Sequence, residues 1–153
     1  EAGQAVLTDN NDIRIYTDGK EKFHALIEEM KRAKKYIHVQ YYIIRNDEVW
    51  QDIEKVLIEK AHEGVEVRVL FDSMGCRTMH KRDWDRLKCE GIRVAESFPA
   101  ILGQLQMRVN YRNHRKIVVI DGKVGFVGGF NVGREYIGKS EKVWLLERYT
   151  FVY

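Results

Sequence analysis

The sequence predicts an α/β fold, a mixed and mainly parallel sheet flanked by helices on both faces, and three observations carry that prediction. Strand-like and helix-like apolar periods alternate along the chain, which is the pattern of βαβ units. The run Tyr36–Ile44, YIHVQYYII, is β-branched and aromatic on both faces, as a strand covered on each side requires. A further apolar block, Ile117–Ile120, runs into Asp121-Gly122, a hairpin turn signal.

At 153 residues, 44% hydrophobic and 32% charged, the chain is long enough for one domain with a real core, and residues 1–153 are read as a single domain. A net charge of +3 is too small to imply nucleic acid. It suits any anionic partner, or an ordinary solvated surface. Cys76 and Cys89 form no C-x-x-C and have no histidine at ligand spacing, so two free thiols are expected rather than a disulfide or a metal site. No apolar run is long enough to span a bilayer and no signal peptide is visible, so the segment is expected to be soluble, with no transmembrane helix.

Taken in order, residues 1–11 are polar, and Asp12–Tyr16 alternates as a short strand closed by Thr17-Asp18-Gly19. From Lys20 to Lys35, Phe23, Leu26, Ile27, Met30 and Ala33 fall at helical spacing, with His24 at the surface or boundary. Tyr36–Ile44 follows as a central strand. Its His38 and Gln40 are read as a satisfied core pair or as pocket contacts. Asp47–His62 is a second amphipathic helix, stopped by Gly64, and Val65–Asp72 is the next strand. Asp72 stands at that strand's C-terminal end, as a helix cap or turn former or as a site residue. Met79–Glu90 is a third helix and Ile92–Phe98 a fourth strand, before the only proline, Pro99. The connection Ala100–Arg112 mixes apolar residues with a basic cluster, either packing under a loop or suiting an amphiphilic phosphate-bearing substrate.

The chemistry concentrates in Asn113–Asn131, NHRKIVVIDGKVGFVGGFN. On a strand, His114 and Lys116 share a face while Arg115 takes the other, so a nucleophile stands beside a cation. Imidazole attacks phosphorus and an ammonium holds phosphate oxygens as charge builds. Asn131 and the backbone of the glycine pair, Gly128 and Gly129, are expected to complete an anion cradle. No metal or other cofactor is expected, because Lys116, Asn131 and nearby arginines already supply charge. Asp121 lies an odd number of strand steps from His114, so it is expected to fix the turn or pair with a cation.

The spacing His114-x-Lys116-x4-Asp121-x6-Gly128-Gly129-x-Asn131 resembles the HKD signature of the phospholipase D superfamily. With YYIIRNDE, AHEGVEVRVLFDSMG and GFVGGFNVGREY, the chain is most similar to the N-terminal catalytic half of bacterial cardiolipin synthases. The resemblance implies a phospholipase D-like fold and phosphatidyl transfer, two phosphatidylglycerols giving cardiolipin and glycerol through a phosphohistidine-type intermediate. It implies His114, Lys116 and Asp121 as catalytic residues, with His114 as nucleophile or acid. Lys116, Asn131, Gly129 and Arg112 are the implied phosphate ligands. Its partners would be anionic phospholipid, a membrane surface and a second HKD motif from another copy or a downstream half. A parent enzyme at the bacterial cytoplasmic membrane is implied, and nucleic acid is not expected. The stretch Lys139–Tyr153 departs from the family's W-[RK]-D pattern, leaving Glu141 or Glu147 to orient the imidazole. A homodimeric single-motif phosphodiesterase or nuclease, and a non-catalytic phospholipid-binding domain, are the alternatives.

Overall fold

A computed structural model describes residues 12–97, 114–138 and 150–152, the last by backbone alone. The expected connection Ala100–Arg112, with Arg112, and the carboxylates Glu141 and Glu147 lie outside the described residues. The elements run β1 (Arg14–Tyr16), α1 (Gly19–Arg32), β2 (Tyr36–Tyr41), α2 (Glu48–His62), β3 (Glu66–Asp72), α3 (Lys81–Cys89) and β4 (Arg93–Ser97). After these come β5 (Lys116–Ile120), β6 (Val124–Gly128), a 3₁₀ turn at Arg134–Ile137 and β7 (Thr150–Val152).

Local chemistry sets the element ends. Asp18 caps α1 by accepting the Glu21 amide at 2.9 Å. The helix stops at Arg32, short of the expected Lys35, and the Lys34 and Lys35 amides go instead to the Asp121 carboxylate. Asp47 caps α2 through the amides of Val49 and Trp50, at 3.1 and 3.4 Å. Gly64 ends that stretch at φ 87°, a left-handed conformation that glycine adopts at little cost.

The seven strands form one sheet in the order β1-β7-β6-β5-β2-β3-β4. The α/β class and mixed sheet hold, but parallel pairing is confined to β2-β3 and β3-β4, whereas the other four pairings are antiparallel. The reason lies in the connections: helices α2 and α3 return the chain for parallel pairing, while the Asp121-Gly122 turn reverses it directly. Strand β7 was not expected from the sequence.

Alternation divides the sheet into a covered and an open face. Ile37, Val39, Val67, Val69, Val118 and Ile120 are in register on the covered face and are at most 3% exposed. Burying such a side chain contributes about 1.5–3 kcal/mol. All three helices pack here. Lys22 of α1 reaches Tyr41 of β2, Trp84 of α3 stacks on Phe71 of β3 at 4.0 Å, and Trp50 of α2 meets Trp84 edge-on at 6.1 Å. The other face carries His38, Gln40, Arg68, Leu70, Ile117 and Val119, half-buried or exposed. Helical cover is therefore on one face among the described residues, where cover on both was expected. Among the described residues, no helix is long and apolar enough to cross a membrane.

Candidate active site

Strand β5 carries Lys116, Val118 and Ile120 toward the helices, so Lys116 starts in the core and is only 5% exposed. Its ammonium escapes at the strand end. Nζ lies 2.9 Å from His114 Nδ1 and donates to the His114 carbonyl at 2.7 Å. His114 itself precedes β5 and is exposed. An ammonium has protons but no lone pair, so this contact makes Nδ1 the acceptor and places the ring proton on Nε2.

Tyr42 closes the inner side of the pair. Its ring centroid is 4.8 Å from that of His114, with the planes at 58°, and 5.7 Å from Lys116 Nζ. The loop after β3 holds Tyr42 in turn. The Asp72 carboxylate is 1% exposed and accepts the amides of Met74 and Gly75, at 2.9 and 3.3 Å, so Asp72 is a turn former. A Cβ at Gly75 would stand 1.9 Å from the Tyr42 carbonyl oxygen, which leaves room only for glycine. Next to it, the amide of Ile44 points at Cys76 Sγ at 3.2 Å. Burial pushes the Cys76 thiol up to about 11, and both Cys76 and Cys89 are free thiols.

Asn131 follows β6 and is 1% exposed. Its Oδ1 accepts the Ile43 amide at 3.2 Å and its Nδ2 donates to the Tyr136 hydroxyl at 2.8 Å. These bonds pin the Gly128-Gly129 loop to the end of β2, beside the parallel bridge Ile44–Val132. Gly129 is half-buried, directly before Phe130 and Asn131. The structure thus gathers His114, Lys116, Gly129 and Asn131 at one end of the sheet.

Asp121 is at the opposite end of β5. Its carboxylate accepts the amides of Lys34, Lys35 and Tyr36 at 2.8, 2.8 and 2.9 Å. Burial pushes its carboxyl up, but the amides of Tyr36, Lys34 and Lys35 outweigh that and hold it below the usual carboxylate value. The geometry ties Asp121 to the start of β2 and separates it from the His114–Lys116 pair. His38 pairs with Glu66 at 3.0 Å on the open face and stacks on Tyr36, while His24 is exposed as expected.

Sequence reasoning missed Tyr42 and Lys22. Lys22 is 1% exposed, donates to the Tyr41 hydroxyl at 2.7 Å, and sits 3.8 Å from the Phe23 ring centroid and 5.1 Å from that of Tyr41. The ring faces favour an ammonium by about 2 kcal/mol at most. Removing an ammonium from water costs roughly several kcal/mol, so burial wins and holds this amine well below the ordinary lysine value. Burial also pushes the Tyr41 phenol up, so it stays protonated. The sequence signal for Lys22 was its position in the Leu26–Met30 stripe, where a lysine interrupts an otherwise apolar face.

The family described as cardiolipin synthase, PLD-like domain, matches residues 26–148. A cardiolipin synthase of Staphylococcus aureus is 52% identical over 138 residues, covering 90% of this chain and 28% of that protein. The major cardiolipin synthase ClsA of Bacillus subtilis is 48% identical over 138 residues, covering 90% of this chain and 29% of that protein. The chain therefore spans less than a third of the length of these relatives. Among solved structures, NucT from Helicobacter pylori superposes with a TM-score of 0.66 at 14% identity, over 92% of this chain and 84% of that one. The phospholipase D family member Nuc from Salmonella typhimurium gives 0.65 at 16% identity, over 93% and 82%. At such identity these two likenesses speak to the fold. Because the family match spans most of the chain, and about half the aligned residues are shared with full cardiolipin synthases, this chain belongs to the phospholipase D-like domain family of cardiolipin synthases.

Proposed function

We propose that the chain is one phospholipase D-like unit of a phosphatidyltransferase that converts two phosphatidylglycerols to cardiolipin and glycerol. The observation that carries this reading is the contact of the Lys116 ammonium with His114 Nδ1 at 2.9 Å. In the first half-reaction an imidazole nitrogen bonds to phosphorus, the bond from phosphorus to the glycerol oxygen breaks, and an acid delivers a proton to that oxygen. In the second, the hydroxyl of another phosphatidylglycerol gives up its proton, attacks phosphorus and releases the imidazole. Lys116 neutralises the phosphate oxygens throughout.

His114 rests with its proton on Nε2, the form that donates to a leaving oxygen. Attack through Nε2 requires the proton to move to Nδ1, which follows once Lys116 turns to a bound phosphate and a carboxylate takes its place at Nδ1. One imidazole cannot attack and also hold the leaving group's proton, so a second motif is needed, from another copy or from the remainder of a longer enzyme. Asn131 has one remaining amide proton for phosphate, and Gly129 and Arg112 are the further proposed ligands. Asp121 is proposed to act on the fold. The working enzyme meets its substrate at a membrane surface rich in anionic lipid.

The test measures glycerol release from phosphatidylglycerol vesicles as the concentration of the chain is raised, with parallel incubations on DNA. Release whose specific activity climbs with concentration, with DNA left intact, supports paired motifs acting on lipid. DNA cleavage that disappears in His114→Ala, or lipid turnover independent of concentration in a verified monomer, overturns the reading.

A further inference from the structure

Beneath the His114–Lys116 pair lies a second amine that the chemistry above does not use. Lys22 projects from the inner face of α1 to the Tyr41 hydroxyl, 2.7 Å away. Tyr41 stands directly opposite Lys116 across β2 and β5. Lys22, Tyr41 and Lys116 line one gap with Phe126, Gly128 and Phe130, and the gap is too narrow for a water molecule.

We infer that Lys22, held by Tyr41 at the floor of the site, is a positioning residue that directs the Lys116 ammonium outward onto His114. The inference rests on reading the His114–Lys116 pair as the phosphate centre. Among the described residues, the head of a lysine rooted on the covered face of β5 can run inward toward the Tyr41 hydroxyl or outward to His114. Lys22 already engages that hydroxyl and fills the space in front of it. The outward course remains, and it is the one Lys116 takes, with its head on the His114 carbonyl and Nδ1.

Charge acts in the same direction. The groups facing Lys22 are Tyr41 from β2, Lys116 from β5, the Phe23 ring from its own helix, and Phe126 and Phe130 from β6 and the loop after it. Among the described residues Lys22 forms no ion pair, so no carboxylate balances its own ammonium in this buried space. Burial holds the Lys22 amine below its ordinary value, so it places less positive charge beside the Lys116 side chain.

The test is an NMR titration of the lysine Cε carbons and His114 ring in the wild-type chain, Lys22→Met, and Lys22→Met with Tyr41→Phe. In the wild type, Lys22 is expected to titrate well below the surface lysines. In Lys22→Met, Lys116 turns inward to the vacated hydroxyl, and the His114 midpoint rises by about one pH unit as the adjacent cation leaves. In the double variant the inward acceptor is gone, Lys116 returns to His114, and the midpoint returns to the wild-type value. A role in packing alone would leave the double variant at least as perturbed as the single one, and that result overturns the inference. So does a wild-type Lys22 that titrates with the surface lysines, which decides the matter even where a variant fails to fold. None of these readings depends on turnover, so absence of lipid chemistry and failure of this inference are separate results.

Discussion

Replacing Asp121 by alanine removes the carboxylate that fastens the first residues of β2. Three amides lose their acceptor, those of Lys34, Lys35 and Tyr36, at 2.8, 2.8 and 2.9 Å. Two of these bonds are exposed and one is part-buried, so water partly replaces the lost oxygens, and each is worth about 0.5–1 kcal/mol, or ~2 kcal/mol together. Asp121 also holds φ at 55°, a left-handed conformation that aspartate tolerates and that costs alanine about 1 kcal/mol more. Asp121→Ala is therefore expected to lose about 3 kcal/mol, which for a chain of this size lowers Tm by roughly 6–12 °C. Asp121→Asn keeps one acceptor and the left-handed tolerance, and is expected to lose about 1 kcal/mol. Urea unfolding at neutral pH, followed by the fluorescence of Trp50 and Trp84, measures both. The pH dependence has a defined sign. The folded carboxyl sits below its unfolded value, so its contribution is complete above the unfolded range near ~4 and is lost as pH falls through the lower folded value. An alanine variant within roughly 0.5 kcal/mol of wild type, or one whose acid unfolding curve is unchanged, would refute the reasoning.

Three further outcomes follow from the same geometry. Hydrogen bonds from Arg68 and then His38 hold Glu66 down to about 2, so Glu66→Gln is expected to flatten the loss of stability between the unfolded value near ~4.3 and about 2, read by acid titration of circular dichroism. Gly75→Ala places a Cβ 1.9 Å from the Tyr42 carbonyl oxygen, and calorimetry is expected to show a loss of ~3 kcal/mol or more, with Tyr42 and His114 ring resonances moved. Tyr42→Ala is expected to lower turnover about 10-fold or more by freeing the imidazole, while Tyr42→Phe, which keeps the ring against His114, retains most of it.

The sequence displayed most of the fold because its periods are local. The α1 and α2 stripes and the strands Tyr36–Tyr41 and Glu66–Asp72 lie within a few residues of their expected bounds. Strand order was not legible, because no local pattern states that β2 lies beside β5, or that β7 pairs with β6 and β1. The site divides along the same line. His114 and Lys116 are two residues apart, so their meeting is local, although His114 precedes the strand and the Lys116 ammonium reaches back to it from the strand end. Tyr42 meets His114 from a distant segment, and the Asp72–Cys76 loop packs against the Tyr42 backbone from a third. Lys22 was not singled out in the sequence, although its spacing to Leu26 and Met30 places it on the buried face of α1. For Asp121 the odd step count along the strand already pointed away from His114, and the three amides of β2 give the reason it is there.

The claim on which the account turns is that His114 of this chain takes part in the transfer of a phosphatidyl group. Its most direct measurement compares glycerol release from phosphatidylglycerol vesicles by wild type and by folded His114→Asn at the same concentration. Whether His114 attacks phosphorus or protonates the leaving oxygen, the asparagine is expected to reduce the rate by about 10²-fold or more. Release by His114→Asn that stays within a few-fold of wild type would contradict the account.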